Sequence, residues 1–135
     1  MARTKSTKSA AVTADAIDKI VEKLNELDGI EFAKDAWVSK APDVYGVVTL
    51  TGEPRQLWAD GHLIDSIWNV AVYAYVKDDS NAWPERIQQK LEELEAESNG
   101  RVDLTYSINR EFDYEINRVR WQWIVLLNGS LTWTE

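Results

Sequence analysis

Apolar positions in residues 56–77, QLWADGHLIDSIWNVAVYAYVK, alternate at period two over a longer stretch than anywhere else in the chain. Ile64, Trp68, Val70, Val72, Ala74 and Val76 fall on one face of the strand this predicts. Leu63, Asp65, Asn69, Tyr73 and Tyr75 fall on the other, since successive side chains of a strand point to opposite sides. Ahead of it, Asp60-Gly61 lies between Leu57-Trp58 and Leu63-Ile64. Asp-Gly between apolar residues signals a hairpin, because a type I′ turn needs positive φ at both central residues. A straight strand over 62–76 runs roughly 50 Å at about 3.3 Å per residue. A compact domain of this length has a diameter of only ~37 Å. The strand must therefore bend, with Ser66 the expected point, or carry the hairpin out of the body.

The other elements follow from the same reasoning. Thr13 is the expected N-cap of a helix whose stripe is Ile17, Ile20, Val21, Leu24 and Leu27, with Gly29 as its left-handed stop. Its opposite face, Asp18, Lys19, Glu22, Lys23 and Glu26, reads as solvated. Ile30–Val38 forms a strand broken before Pro42, and residues 44–51 form a second, β-branched one with two rather apolar faces, hence central. GEPR (52–55) reads as a turn into the hairpin. After Lys77, Ser80 or Asn81 caps a helix with Pro84 in its first turn and a stripe of Trp83, Ile87, Leu91 and Leu94, ended by Asn99-Gly100. Val102, Leu104, Tyr106 and Ile108 alternate as a strand, and residues 109–118 read as a polar connection studded with aromatics. A final strand sets Val119, Trp121, Trp123, Val125 and Leu127 against Arg118, Arg120 and Gln122, leaving a tail with Leu131 and Trp133. The order α-β-β-(β)-β-α-β-β predicts an α+β domain over 13–135, two helices on a mostly antiparallel sheet, with a protruding or bent hairpin. Residues 1–12 lack periodicity and read as a flexible basic arm.

Charge sharpens this picture. Arg3, Lys5 and Lys8 put three positive charges and no acid in the arm, so the remainder carries −11 against a total of −8. Such a body repels phosphate and makes a poor general nucleic-acid surface. No apolar run approaches the ~20 residues of a membrane helix. The chain has no cysteine, which removes disulfides and thiolate metal sites and fits a reducing, cytosolic setting. Seven tryptophans are the unusual count. Their β-pattern places most in the core, but Trp58 beside the turn and Trp133 near the C-terminus suit an interface, where Trp offers large area at low entropic cost.

A catalytic set is harder to assemble. His62, the one histidine, lies between Asp60 and Asp65, and imidazole beside carboxylate suits general base catalysis. The nearest hydroxyl, Ser66, is four residues along the same strand, about 13 Å away and too far for a nucleophile–base bond. Glu92, Glu93, Glu95 and Glu97 read as a solvated helix end, and the six glycines are scattered at turns rather than forming a phosphate loop. No catalytic, metal or cofactor residue is expected, and the chain reads as a non-enzyme.

LWADGHLIDSIWNVAVYAYVKDD, an amphipathic helix, and then DYEINRVRWQWIVLL together resemble the tail-terminator or tail-completion proteins of long-tailed bacteriophages. The resemblance covers about residues 13–127 and rests on Asp60-Gly61-His62 with Trp68, and more weakly on Trp121-x-Trp123. The basic arm and the tryptophan load depart from the group's pattern. The resemblance implies a structural virion protein, assembled in the host cytoplasm, that self-associates into a ring, commonly a hexamer. Such rings cap the head-proximal end of the tail tube, meet the tube protein and the head-completion or connector protein, and let genomic DNA pass without specific binding. Trp58, Asp60, Gly61, His62, Phe112, Tyr114 and Trp133 are the candidate subunit or partner interface. The competing reading is an acidic homodimeric secretion-chaperone-like protein that binds unfolded partners in apolar grooves; such proteins usually end in a helix, whereas this chain ends in a Trp-rich strand.

Overall fold

The computed structural model describes residues 13–37 and 40–134. The arm expected at 1–12 lies outside the described residues, as do Val38 and Ser39 of the first expected strand. The elements are β1 (Thr13–Asp15), α1 (Ala16–Leu24), β2 (Glu31–Lys34), β3 (Tyr45–Ala59), β4 (His62–Val76), α2 (Trp83–Glu97), β5 (Val102–Asp113), β6 (Arg118–Asn128) and β7 (Thr132–Thr134). Five strands form one sheet in the order β2-β3-β4-β6-β5, antiparallel except for the β2/β3 pair, and β1 with β7 forms a separate two-stranded ribbon. The domain is α+β, with both helices packed on one face of the large sheet.

That face is the one the period-two patterns pick out. Val70, Val72, Ala74 and Val76 of β4 and Trp123, Val125 and Leu127 of β6 are buried against Ile17, Ile20 and Leu24 of α1 and Ile87, Leu91 and Leu94 of α2. Gly46 permits the closest approach in this layer: a Cβ there would collide with the Phe32 ring and come within 2.8 Å of the Tyr73 carbonyl oxygen.

Several local expectations are corrected. Asp15, not Thr13, caps α1, accepting a hydrogen bond from the Ile17 amide at 2.7 Å, because β1 carries the chain extended through Asp15 and the helix begins only at Ala16. The helix ends at Leu24, so Gly29, at φ 90°, closes the following loop rather than the helix. Among the described residues no side chain caps α2; Ser80 instead bonds to Asp78, and the left-handed Asn81 and Ala82 lead into the helix ahead of Pro84. Residues 52–55 form no turn: the short strand expected after them is continuous with β3. The connection expected at 109–118 is mostly strand, since β5 runs to Asp113 and only the turn beyond it is free. The charged helix faces are not merely solvated either. Lys23 of α1 meets Glu97 of α2 at 3.1 Å, Lys90 meets Glu26 at 3.0 Å, and Glu95 accepts the Leu104 amide at 2.7 Å.

Candidate assembly interface

The hairpin is set by its turn and by where its neighbours stop. Asp60 and Gly61 take φ of 52° and 77°, the signs a type I′ turn requires. On one side β2 pairs β3 only from Tyr45 to Val48; on the other, β6 pairs β4 only from Ile67 onward. Among the described residues the ribbon beyond has no strand paired to either edge, its Ser66 carbonyl alone accepting the Gly129 amide at 2.8 Å, and it overhangs the sheet by roughly 16 Å at about 3.3 Å per residue. Two bulges shape it. Residues 52–54 all stand opposite Trp68, and Ile64 is an extra residue between the Leu57/Asp65 and Trp58/Leu63 pairs. The strand's irregularity thus falls at Ile64 and opposite Trp68 rather than at Ser66, and bulges of this kind increase local twist.

The bulge at Ile64 also reverses a sequence assignment. Leu63 does not share a face with Tyr73 and Tyr75; it pairs with Trp58 and lines, with Gln56, Ser66, Trp68 and Leu131, a niche of about 560 Å³ on the helix side of the hairpin. Leu57 pairs with Asp65, which lines the same niche. Trp58 is 60% exposed, Leu63 47% and Leu57 41%, a concentration of apolar surface that a soluble monomer rarely carries without a use.

At the far end of the same strands, on the helix-free face, the register assembles an aromatic cleft. Tyr45 stands opposite Tyr75 and Val47 opposite Tyr73, while β6 brings Arg120 beside Tyr75. Tyr45 and Tyr75 stack at 4.8 Å, Trp37 meets Tyr45 edge-on at 6.2 Å, and Arg120 lies 5.6 Å over the Tyr73 ring. The cleft, about 460 Å³, is completed by Asp35, Ala36, Ala41, Val47 and Thr49. Burial pushes the phenols of Tyr45 and Tyr75 above their ordinary value, against the opposing pull of Arg118 and Arg120 respectively, so both stay neutral at physiological pH. Arg120 pairs with Glu111 at 2.9 Å, and Asp43 pairs with Lys77 at 3.0 Å and Arg118 at 3.5 Å.

The candidate residues thus divide into three places. Trp58, Asp60, Gly61 and His62 sit together in the overhang, all exposed. Phe112 and Tyr114 lie at the opposite end of the sheet, Phe112 half-buried against the core and Tyr114 86% exposed in the β5–β6 turn. Trp133 lies half-buried in β7, 5.2 Å beneath the Arg101 guanidinium, which also binds the carbonyls of Asn128, Ser130 and Thr132. Sequence reasoning missed the cleft: Tyr73 and Tyr75 stand out at period two, but only the β3/β4 and β4/β6 registers join them to Tyr45 and Arg120. Among the described residues, no group of three or more His, Asp or Glu side chains is placed to hold a metal ion, and no helix is long and apolar enough to cross a membrane. No protein-family model matches the chain, and neither does any curated protein.

Proposed function

We propose that this protein is a structural, non-catalytic component of a long-tailed bacteriophage virion, a tail terminator that closes into a ring, a hexamer in its usual form. The overhanging hairpin carries this reading. Its edges, without a paired strand among the described residues, and the exposed Trp58, Leu57 and Leu63 call for a partner, and the apolar end of the sheet around Tyr114 lies too far away to serve within one molecule. A contact between unlike surfaces of successive copies repeats identically around a closed ring and leaves no end. The ring would cap the tail tube at its head-proximal end and present a face to the connector or head-completion protein. A net negative wall would let DNA slide through without adhering. The test is to add the purified protein to polymerising tail-tube subunits of the phage that encodes it. Elongation arrested at capped ends is expected; tubes that grow unaltered in its presence would overturn the reading.

The half-exposed aromatic face supports a second reading, a two-fold dimer with its open faces stacked, as in a chaperone-like binding protein. The symmetry of the isolated particle separates the two.

A further inference from the structure

We infer that the aromatic cleft is the socket for the hairpin of a neighbouring copy, with Trp58 and Leu63 laid over Tyr45, Tyr73, Tyr75 and Arg120. The inference rests on the ring reading for its symmetry, while the contact itself stands on geometry.

The socket and the plug cannot meet in one chain. His62 and Tyr75 belong to the same strand, about 43 Å apart at about 3.3 Å per residue. The orientation of the plug decides how two copies meet. Leu63 lines the niche on the helix side of the ribbon, and Trp58, its partner in the register, shares that face, whereas the cleft lies on the helix-free side of the sheet. When the helix side of one overhang covers the helix-free side of the next sheet, the first body comes to rest beside the second, in the same orientation, like overlapping tiles. Each copy then offers its own cleft to the copy behind it, which is the arrangement a ring requires. Had the exposed indole projected from the other side, the same contact would have stacked the molecules face to face.

Chemistry and size agree. An indole laid on tyrosine rings beside a guanidinium gains stacking and cation–π attraction. Asp60 at the tip brings negative charge toward Arg120, whose present partner, Glu111, is largely exposed. The β5 edge is a poorer acceptor, since its ladder breaks between Leu104 and Ile108, and bulged edges resist strand addition. One face of the two-stranded overhang measures about 10 Å by 16 Å, near 160 Å². A stable interface needs about 800 Å² per partner. Free copies therefore associate weakly, and closure awaits a template that aligns them.

The experiment replaces Trp58 with the photo-crosslinking residue benzoylphenylalanine in the full chain, mixes isotopically heavy and light copies at high concentration, and maps the products. Crosslinks between copies, landing on peptides containing Tyr45 or Tyr73–Tyr75, are expected, with yield reduced at least fivefold by Tyr73→Ser in a protein whose melting curve shows it folded. Crosslinks confined to the β5 edge, or none between copies, would overturn the inference. A closed ring with crosslinks elsewhere sinks the socket and spares the ring; a two-fold dimer with crosslinks on the tyrosines sinks the ring and overturns the tiled orientation inferred for the plug.

Discussion

Trp123→Ala and Trp58→Ala should part company completely, although both tryptophans lie in strands. Trp123 is 2% exposed and sits among Val72, Ile87 and Leu91 in the core, with its indole N–H donated to Gln88 Oε1 at 3.0 Å. A tryptophan buries up to about 250 Å², which at about 25 cal/mol per Å² is ~6 kcal/mol. A compact unfolded state already hides part of that area, which brings the figure to about 4–5 kcal/mol. Truncations of buried aromatics typically cost ~3–5 kcal/mol, and the orphaned Gln88 amide adds about 1 kcal/mol. At ~2.1 cal/mol/K per residue of unfolding entropy, a loss of ~4 kcal/mol lowers the melting temperature by roughly 14 °C. Trp58, 60% exposed, should change stability by no more than about 0.5 kcal/mol. Urea denaturation followed by circular dichroism gives both midpoints. A loss under about 1.5 kcal/mol for Trp123→Ala, or a comparable loss for Trp58→Ala, would refute this division of the tryptophans.

Two substitutions and one deletion probe the rest of the fold. Gly46→Ala should destabilise by about 1–3 kcal/mol, the cost of overpacking, because the new methyl meets the Phe32 ring and the Tyr73 carbonyl; a neutral effect on the denaturant midpoint would contradict that close approach. Burial raises the Asp15 carboxyl, but Lys34 and the Ile17 amide outweigh it and hold the group below its ordinary value. Its contribution is therefore present above the unfolded carboxylate pKa and lost as pH falls through the lower folded one, so stability should drop below about pH 4. Asp15→Asn should flatten part of that drop in thermal melts, and an unchanged acid profile would refute it. Deleting residues 2–11 should leave the melt unchanged, since no apolar periodicity begins in the sequence before Thr13; a fall of several degrees would show that the arm contributes to the fold.

Legibility in the sequence followed the range of the interactions. The β4 and β6 alternations, the α2 stripe and the Asp-Gly turn depend on neighbours along the chain, and these elements stand where the pattern places them. Leu63 was misassigned because period-two reasoning assumes an unbroken register, and one extra residue at Ile64 turns everything beyond it to the other face. The turn expected at 52–55 is a bulge because β4 continues opposite it, which the segment's own Gly and Pro cannot reveal. Thr13 is an adequate cap by composition, yet it pairs with Thr134 at the other end of the chain. The aromatic cleft was invisible for the same reason: its tyrosines, tryptophan and arginine come from three strands and a loop, joined only by register. Phe112 and Tyr114 stand out in the sequence as interface candidates, but that they lie at the opposite end of the sheet from Trp58 follows only from the fold.

Ring closure depends on one repeated contact between unlike surfaces, and the mass and symmetry of the particle decide whether it forms. Native mass spectrometry across salt concentrations, joined to microscopy of assembled tails, should find monomers or mixed small species at low salt, where acidic bodies repel, and a single closed ring at the tube end. A salt-insensitive two-fold homodimer, with no ring on the tail, would contradict the account.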